Sequence, residues 1–245
     1  MPTFRIIGPG RAGTALSLAL AAAGWRAEPP LGRGDDPANA AAGVDLLVIA
    51  TPDAAIAAVA SAVRPEPTTV VVHLAGSLGP DVLAPHARRA SVHPLVPIPD
   101  GRTGAERLRG AWFAVAGDPL AAEVVAALGG RPVTVAAEHR AAYHAAACIA
   151  SNHLVALLGQ VERVAVTAGV PLEAYLDLVR ATVDNVAALG PAAALTGPVA
   201  RGDEATVARH LATLPADERP AYEAMAGAAR RLVAGHRDRQ AAPCR

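Results

Sequence analysis

The sequence predicts an α/β fold built on a mostly parallel sheet, followed by a smaller all-α domain. Three observations carry that prediction. In the first half, short β-forming runs alternate with Ala-rich helical runs, the pattern of linked βαβ units. The strands read as continuous apolar stretches, Val44–Ala50 above all, as expected of a parallel sheet covered on both faces. Past Glu138 the β signal stops, and the remaining segments are patterned as helices.

Taken in order, Thr3–Ile7 is a strand and Ala12–Ala23 a helix ended by Gly24. A weak second strand starts at Trp25. Val44–Ala50 is a buried strand, Asp53–Val63 a helix and Thr69–Leu74 a strand. Ala90–His93, Trp112–Ala116 and Val133–Ala136 are later strands, with a helix over Pro119–Leu128. One long helical stretch covers His139–Ala168 and stops at Gly169. Pro171 opens the next helix, where its missing N–H costs least, and that helix runs to Leu189. A Gly/Pro-rich loop, Gly190–Gly202, leads to Asp203, which is placed to cap a short helix; Pro220–His236 forms the last one. The expected domains are residues 1–137 and 138–245.

At 245 residues, 52 % apolar and 18 % charged, the chain can bury substantial cores. Zero net charge and 3 % aromatics argue against a nucleic-acid partner. All 22 basic residues are arginine, so Schiff-base chemistry, a Walker lysine and a lysine general acid are excluded. Two cysteines, Cys148 and Cys244, are too few for a disulfide framework or a zinc site, and no metal is expected. Cys244 falls in a polar tail, Arg237–Arg245, expected to fray. The N-terminus lacks the build of a signal peptide, and apolar runs are broken by Gly, Pro or charge before about 18 residues, short of a membrane span. A soluble, cytoplasmic protein with no membrane partner is the expectation.

Gly8-Pro9-Gly10-Arg11-Ala12-Gly13 follows the first strand and opens a helix, the setting that gives a GxGxxG its mechanical meaning. Gly8 permits the tight turn, Gly10 lets backbone approach a pyrophosphate, and Gly13 allows close helix–strand packing. The helix N-terminus offers free N–H groups to the phosphates. The fold expected is therefore Rossmann-type, with a dinucleotide as cofactor. Roughly 20 residues on, where an acid suits NAD(H) and an arginine NADP(H), stands Arg33. Its guanidinium suits a 2′-phosphate and favours NADP(H), while Asp35 and Asp36 just beyond are the competing signal for NAD(H). Thr51-Pro52-Asp53 and Gly76-Ser77 follow the next two buried strands and should border the cofactor. Asp53 reads equally as a helix cap. His93, before Pro94, is a structural histidine or a site residue.

On the long helix, His144, Cys148, Ser151 and Asn152 fall within about 100° of one another at 3.6 residues per turn, a polar stripe in an apolar helix. In the loop Leu195–Asp203, Thr196 and Arg201 are candidates to hold a substrate carboxylate, with a turn and an Arg201–Asp203 pair as the plainer reading.

The stretches GPGRAG, ATPD, HLAGSLG, VHPL, YHAAACIASNHLVAL (Tyr143–Leu157) and LTGPVARGD (Leu195–Asp203) resemble a family of Rossmann-like proteins with a C-terminal helical domain of unassigned function. That family is similar to pyrroline-5-carboxylate reductases, ketopantoate reductases and β-hydroxyacid dehydrogenases. The resemblance implies a nicotinamide cofactor, a cleft between domains, and a homodimer formed through the C-terminal helices. Some relatives look like an alternative ketopantoate reductase. One departure matters: many of those enzymes use a lysine on the first long helix of this domain, and this chain has none.

The function expected is NADPH-dependent reduction of a small carboxylate-bearing ketone, with ketopantoate as a candidate. His144 is the expected proton donor, since imidazole titrates near neutrality, while Ser151 and Asn152 orient the carbonyl. Imine reduction is the enzymatic alternative, because an iminium already carries its electrophilic charge. An NADP(H)-binding protein without turnover is the other.

Overall fold

The computed structural model describes residues 1–241. The chain divides into two compact units, Met1–Asn152 and the remainder from His153. The first is built on seven strands: β1 (Thr3–Ile7), β2 (Arg26–Ala27), β3 (Leu46–Ile49), β4 (Val70–His73), β5 (Arg89–Pro94), β6 (Trp112–Gly117) and β7 (Arg131–Thr134). They form one sheet in the order β2-β1-β3-β4-β5-β6-β7, parallel throughout except where β6 runs against β5. This is the Rossmann-type architecture expected.

The apolar strands are buried because they serve two cores at once. Leu46 and Val48 join Phe4, Ile6, Val70 and Val72 on one face, beneath α1 (Arg11–Ala22), α3 (Gly101–Leu108) and α4 (Leu120–Ala127). Leu47 and Ile49 join Ile7 and Val71 on the other, against α2 (Ile56–Ala62). Alternation of side chains along a strand makes each residue serve one face or the other. The weak second strand is only two residues long because Pro29 and Pro30 interrupt it. The chain nonetheless continues beside β1, with Glu28 N–H donating to Phe4 O and Leu31 N–H to Ile6 O, each at 2.8 Å.

Helix α3 was not evident from hydropathy. It is signalled by Asp100, whose carboxylate accepts the Thr103 N–H at 2.8 Å and caps the helix.

The division between units falls at Asn152, not at residue 137. Helix α5 (Arg140–Cys148) continues the β pattern's domain because Arg140 anchors it there, donating to Leu78 O and Ser91 Oγ, each at 2.6 Å. The long helical stretch is also not uniform: a π turn, Ile149–His153, separates α5 from α6 (Leu154–Thr167). Across Ala137–Thr167 an 18-residue window reaches a mean hydropathy of 1.3, with none of it buried. This corrects the expectation that no segment has the length and composition of a span. Isolated Gly and polar residues break the apolar runs without lowering the average enough.

The second unit holds α6, α7 (Glu173–Leu189), the single turns α8 (Pro191–Ala194) and α9 (Pro198–Arg201), α10 (Glu204–Thr213) and α11 (Arg219–Ala241). The expected loop 190–202 thus contains two turns, each opened by a proline after a positive-φ glycine. The expected tail begins too early, since α11 continues to Ala241. Cys244 lies outside the described residues. Glu218 ties this unit together, paired with the Arg163 guanidinium and accepting Gln160 Nε2 on its backbone carbonyl at 2.9 Å.

Candidate active site

The carboxyl ends of β1, β3, β4 and β5 present their loops on one edge of the sheet, since these strands are parallel. The chain reverses its direction of winding between β1 and β3, and such a switch point is where open α/β sheets take ligands. Gly8 lies there. Its φ of 92° and its seat against Ala50, where an added Cβ would stand 2.9 Å from the carbonyl oxygen, admit no side chain. Gly13 packs α1 on the sheet: a Cβ would strike Gly8 O and come within 3.0 Å of Ile6 Cγ2. Gly10 differs, with nothing within 4 Å of its Cβ direction. It starts α1 without a side-chain cap, which leaves the first-turn N–H groups available to an anion. Gly8 and Gly13 thus do the turn and packing work expected of them, and Gly10 is left with open space in front of its Cα.

Arg33 is exposed, and it makes no hydrogen bond or ion pair among the described residues. Its competitors are engaged locally. Asp35 accepts the Gly32 N–H at 2.6 Å, and Asp36 the Ala38 N–H at 2.9 Å. Thr51 Oγ1, past β3, is buried without a partner, the kind of orphaned polar atom that a bound ligand satisfies. Asp53 does not cap a helix: Pro52 precedes the 3₁₀ turn Asp53–Ala55, and the carboxylate instead accepts from Ser77 Oγ at 3.4 Å. Thr51, Asp53 and Ser77 lie beyond the carboxyl ends of β3 and β4, on the same edge of the sheet as the glycine turn. Among the described residues no cluster of three metal-ligating side chains exists.

Beside this edge of the sheet stands a group of histidines. His73 is structural. Its Nδ1 accepts the Ala75 N–H at 3.1 Å and its Nε2 lies 3.1 Å from Gly79 O, while burial pushes its pKa below the usual imidazole value. His93, near the end of β5, has Nδ1 at 2.7 Å from the Tyr143 hydroxyl, with the rings edge-to-face at 5.5 Å. His144 meets His93 edge-to-face at 5.9 Å. Both histidines close on buried Gly76, where a Cβ would come within 2.6 Å of His144 Cδ2 and 2.9 Å of His93 Nε2. Gly76 is therefore required here by contact rather than by its φ.

Arg140 sets the electrostatics. It is 2 % exposed, and among the described residues it bonds only Leu78 O and Ser91 Oγ and has no carboxylate partner. Burial, then the neighbouring His144 and Arg140, push the His93 pKa down to about 4, so this imidazole is neutral at pH 7. The result is a cluster with surplus positive charge.

Of the expected stripe, His144 reaches this cluster and Cys148 Sγ lies 4.0 Å from its Nε2. Ser151 and Asn152 sit in the π turn, so their spacing around the axis is not that of an unbroken α-helix. In the second unit Thr196 precedes α9, and Arg201 ends it, exposed. Asp203 caps α10 through the Thr206 N–H at 3.0 Å and bonds Thr206 Oγ1, not Arg201. Tyr143 and Arg140 were not singled out from sequence. The signal available was Arg140-x-x-Tyr143-His144, one helical turn of polar residues.

Residues 113–229 match a family described as Domain of unknown function (DUF2520). No curated protein matches in sequence. Among solved structures, a Bacteroides fragilis protein provisionally named an NADP oxidoreductase is similar at 20 % identity, covering 94 % of this chain and 98 % of that one with a TM-score of 0.74. The Plasmodium falciparum pyrroline carboxylate reductase, solved with NADP bound, is similar at 13 % identity, with 95 % and 98 % coverage and a TM-score of 0.61. A reductive aminase from Aspergillus terreus, solved with NADPH4, cyclohexanone and allyl amine, is similar at 16 % identity, with 94 % of each chain covered and a TM-score of 0.62. At these identities the likeness establishes the fold.

Proposed function

We propose that the protein is an NADP(H)-dependent reductase acting on a small carboxylate-bearing ketone, ketopantoate among the candidates. The observation that carries this reading is the pairing of an open Gly10 at the uncapped start of α1 with an unengaged Arg33, while Asp35 and Asp36 are occupied. Gly8, Pro9, Gly10, Arg11, Ala12 and Gly13 hold the pyrophosphate, and Arg33 takes the 2′-phosphate. Thr51, Pro52, Gly76 and Ser77 border the nicotinamide half. When bound, the reduced nicotinamide supplies two electrons and one hydrogen to the substrate carbon.

On the substrate side, the uncompensated charge of Arg140 favours a carboxylate by long-range attraction in a partly desolvated site. His144 offers an N–H to the oxygen that gains charge. Ser151 and Asn152, in the π turn that follows α5, orient the carbonyl; Thr196 and Arg201 are the second unit's candidates for a carboxylate. The exposed apolar faces of the C-terminal helices are covered by a second copy of the chain, in a homodimer.

NADPH oxidation across ketopantoate, pyrroline-5-carboxylate and simple β-ketoacids tests the reading. Turnover on a ketoacid supports it; an absence of NADPH binding in calorimetry overturns it. Arg33→Ala should erase the preference for NADPH over NADH. Imine reduction is the second reading, supported by the fold shared with a pyrroline carboxylate reductase and a reductive aminase and by the absence of lysine. It predicts that His144→Ala retains activity on an imine and loses it on a ketoacid.

A further inference from the structure

We infer that His93 and Tyr143 form a proton relay serving the reducing oxygen, with Arg140 as the fixed charge that steadies it. The inference rests on the reductase reading, and adds the source of the proton. Three features of the geometry point to it. The Tyr143 hydroxyl and His93 Nδ1 lie 2.7 Å apart. The opposite nitrogen, Nε2, has no hydrogen-bond partner among the described residues and lies against Gly76, which carries no side chain to cover it, on a ring that is only half-buried. His93 also stands at the carboxyl end of β5, on the edge of the sheet where the glycine turn, Thr51 and Ser77 lie.

A phenol beside an imidazole nitrogen selects a tautomer. At neutral pH Tyr143 is the stronger donor when His93 is unprotonated, so Nδ1 accepts and the ring hydrogen sits on Nε2. The groups facing His93 hold it neutral. Burial, His144 and Arg140 from α5 and His73 from β4 all disfavour the imidazolium, and Asp53 alone opposes them. A neutral imidazole whose Nε2–H is unpaired is a hydrogen-bond donor that does not discharge to solvent before substrate arrives.

The transfer balances. The substrate oxygen takes the Nε2 proton as its bond to that hydrogen forms and the N–H bond breaks. Nδ1 takes the Tyr143 hydroxyl proton in the same sense, which returns the imidazole to neutrality in its other tautomer. The Tyr143 oxygen is left as phenolate, one helical turn from the Arg140 guanidinium, and takes its proton back from Nδ1 as Nε2 regains one from water, which restores the starting tautomer. The net change in this part of the site is one proton drawn from solvent, with no electrons moved. Burial raises the Tyr143 pKa and Arg140 works against that rise, which is the role of a fixed cation in such a relay. Tyr143 acts through His93 and is a positioning residue; His93 is the one that touches substrate.

The test begins on the protein alone, by ¹⁵N-detected NMR of the histidine side chains. The expected result is His93 in the Nε2–H tautomer, neutral down to about pH 5, with Tyr143→Phe giving a mixture of tautomers. A His93 that carries its hydrogen on Nδ1, or titrates at the usual imidazole value, overturns the relay whatever the protein's activity. In turnover, Tyr143→Phe should lower kcat by roughly 10²-fold, steepen its fall at high pH and leave KM and NADPH affinity within about twofold. An unchanged kcat and pH profile, with NADPH still bound, overturns the relay alone. Loss of NADPH binding by the unmodified protein instead overturns the reductase reading and leaves the tautomer result standing.

Discussion

Strands β3 and β4 are buried along their whole length, whereas α7, seventeen residues long, contains no buried residue. The first unit buries most of its apolar strand residues in two cores, one on each face of the sheet. In the second, the buried apolar residues among those described are Ala165, Val207, Leu214 and Ala226, three of the four small or β-branched. Val155, Val166, Leu178 and Leu189 are 61–70 % exposed. Fully burying such side chains is worth roughly 1.5–3 kcal/mol each; the first unit also leaves Leu18, Leu95, Trp112 and Ile149 43–59 % exposed, but over a core that the second unit lacks. The difference teaches that one unit carries its own core as a scaffold, while the other leaves helix faces open, the surface that the proposed homodimer would cover.

The largest expected effect tests that division directly. Leu178 and Leu189 fall on one side of α7, eleven residues apart. If the proposed dimer forms through this face, Leu178→Arg with Leu189→Arg should convert it into a monomer, because each unpaired charge buried in an interface costs about 3–5 kcal/mol. Sedimentation equilibrium reads the outcome. A wild-type chain that is monomeric at tens of micromolar breaks the comparison; a variant that stays dimeric moves the interface off this face.

In the first unit the sensitive position is a glycine. Gly13→Ala puts a methyl group against the Gly8 carbonyl, which is backbone and has little room to move. Loss of about 3 kcal/mol in denaturant unfolding is expected, together with loss of the thermal shift given by NADPH. Unaltered stability would show that α1 is not seated as tightly as the contact implies.

The pH dependence is next, and also belongs to the first unit. His93 has its pKa lowered to about 4 from 6.5, so between those values the unfolded chain binds more protons than the folded one. Stability is therefore full above pH 6.5 and falls as pH drops toward 4, by about 3 kcal/mol at most for this group. His73, lowered in the same direction by burial, adds to the same slope. Urea unfolding from pH 7 to 4.5 checks the sign, and His93→Gln should flatten the curve. A stability that rises on acidification would contradict the buried neutral imidazoles.

What could be read from residues alone follows the same division. Periodicity and continuous apolar runs identify β1, β3, β4 and α1 because a buried parallel strand has to be apolar throughout. The glycine turn was legible for the same local reason, since each of its glycines answers one steric need. The histidine cluster was not legible. His93, Gly76 and His144 are distant in sequence, and their meeting depends on Arg140 reaching Ser91 and Leu78. The π turn that holds Ser151 and Asn152 is not encoded in hydropathy. The domain boundary was displaced for a related reason: α5 has a helical pattern but its anchor is in the sheet domain.

The smallest effect is the most discriminating for the second unit. Gly159 lies within α6, and a Cβ there would meet only Arg163 Nη1 at 3.5 Å, the movable end of a side chain. Within a single chain, Gly159→Ala should gain roughly 0.5–1 kcal/mol, the usual benefit of replacing a mid-helix glycine. Gly13→Ala and Gly159→Ala are the same chemical change, so a loss at one and a gain at the other would express the contrast between the two units in one pair of unfolding curves. If Gly159→Ala instead weakens the dimer while stabilising the dissociated chain, a partner helix approaches at that glycine, and the association face extends from α7 onto α6. A gain in both states confines it to α7.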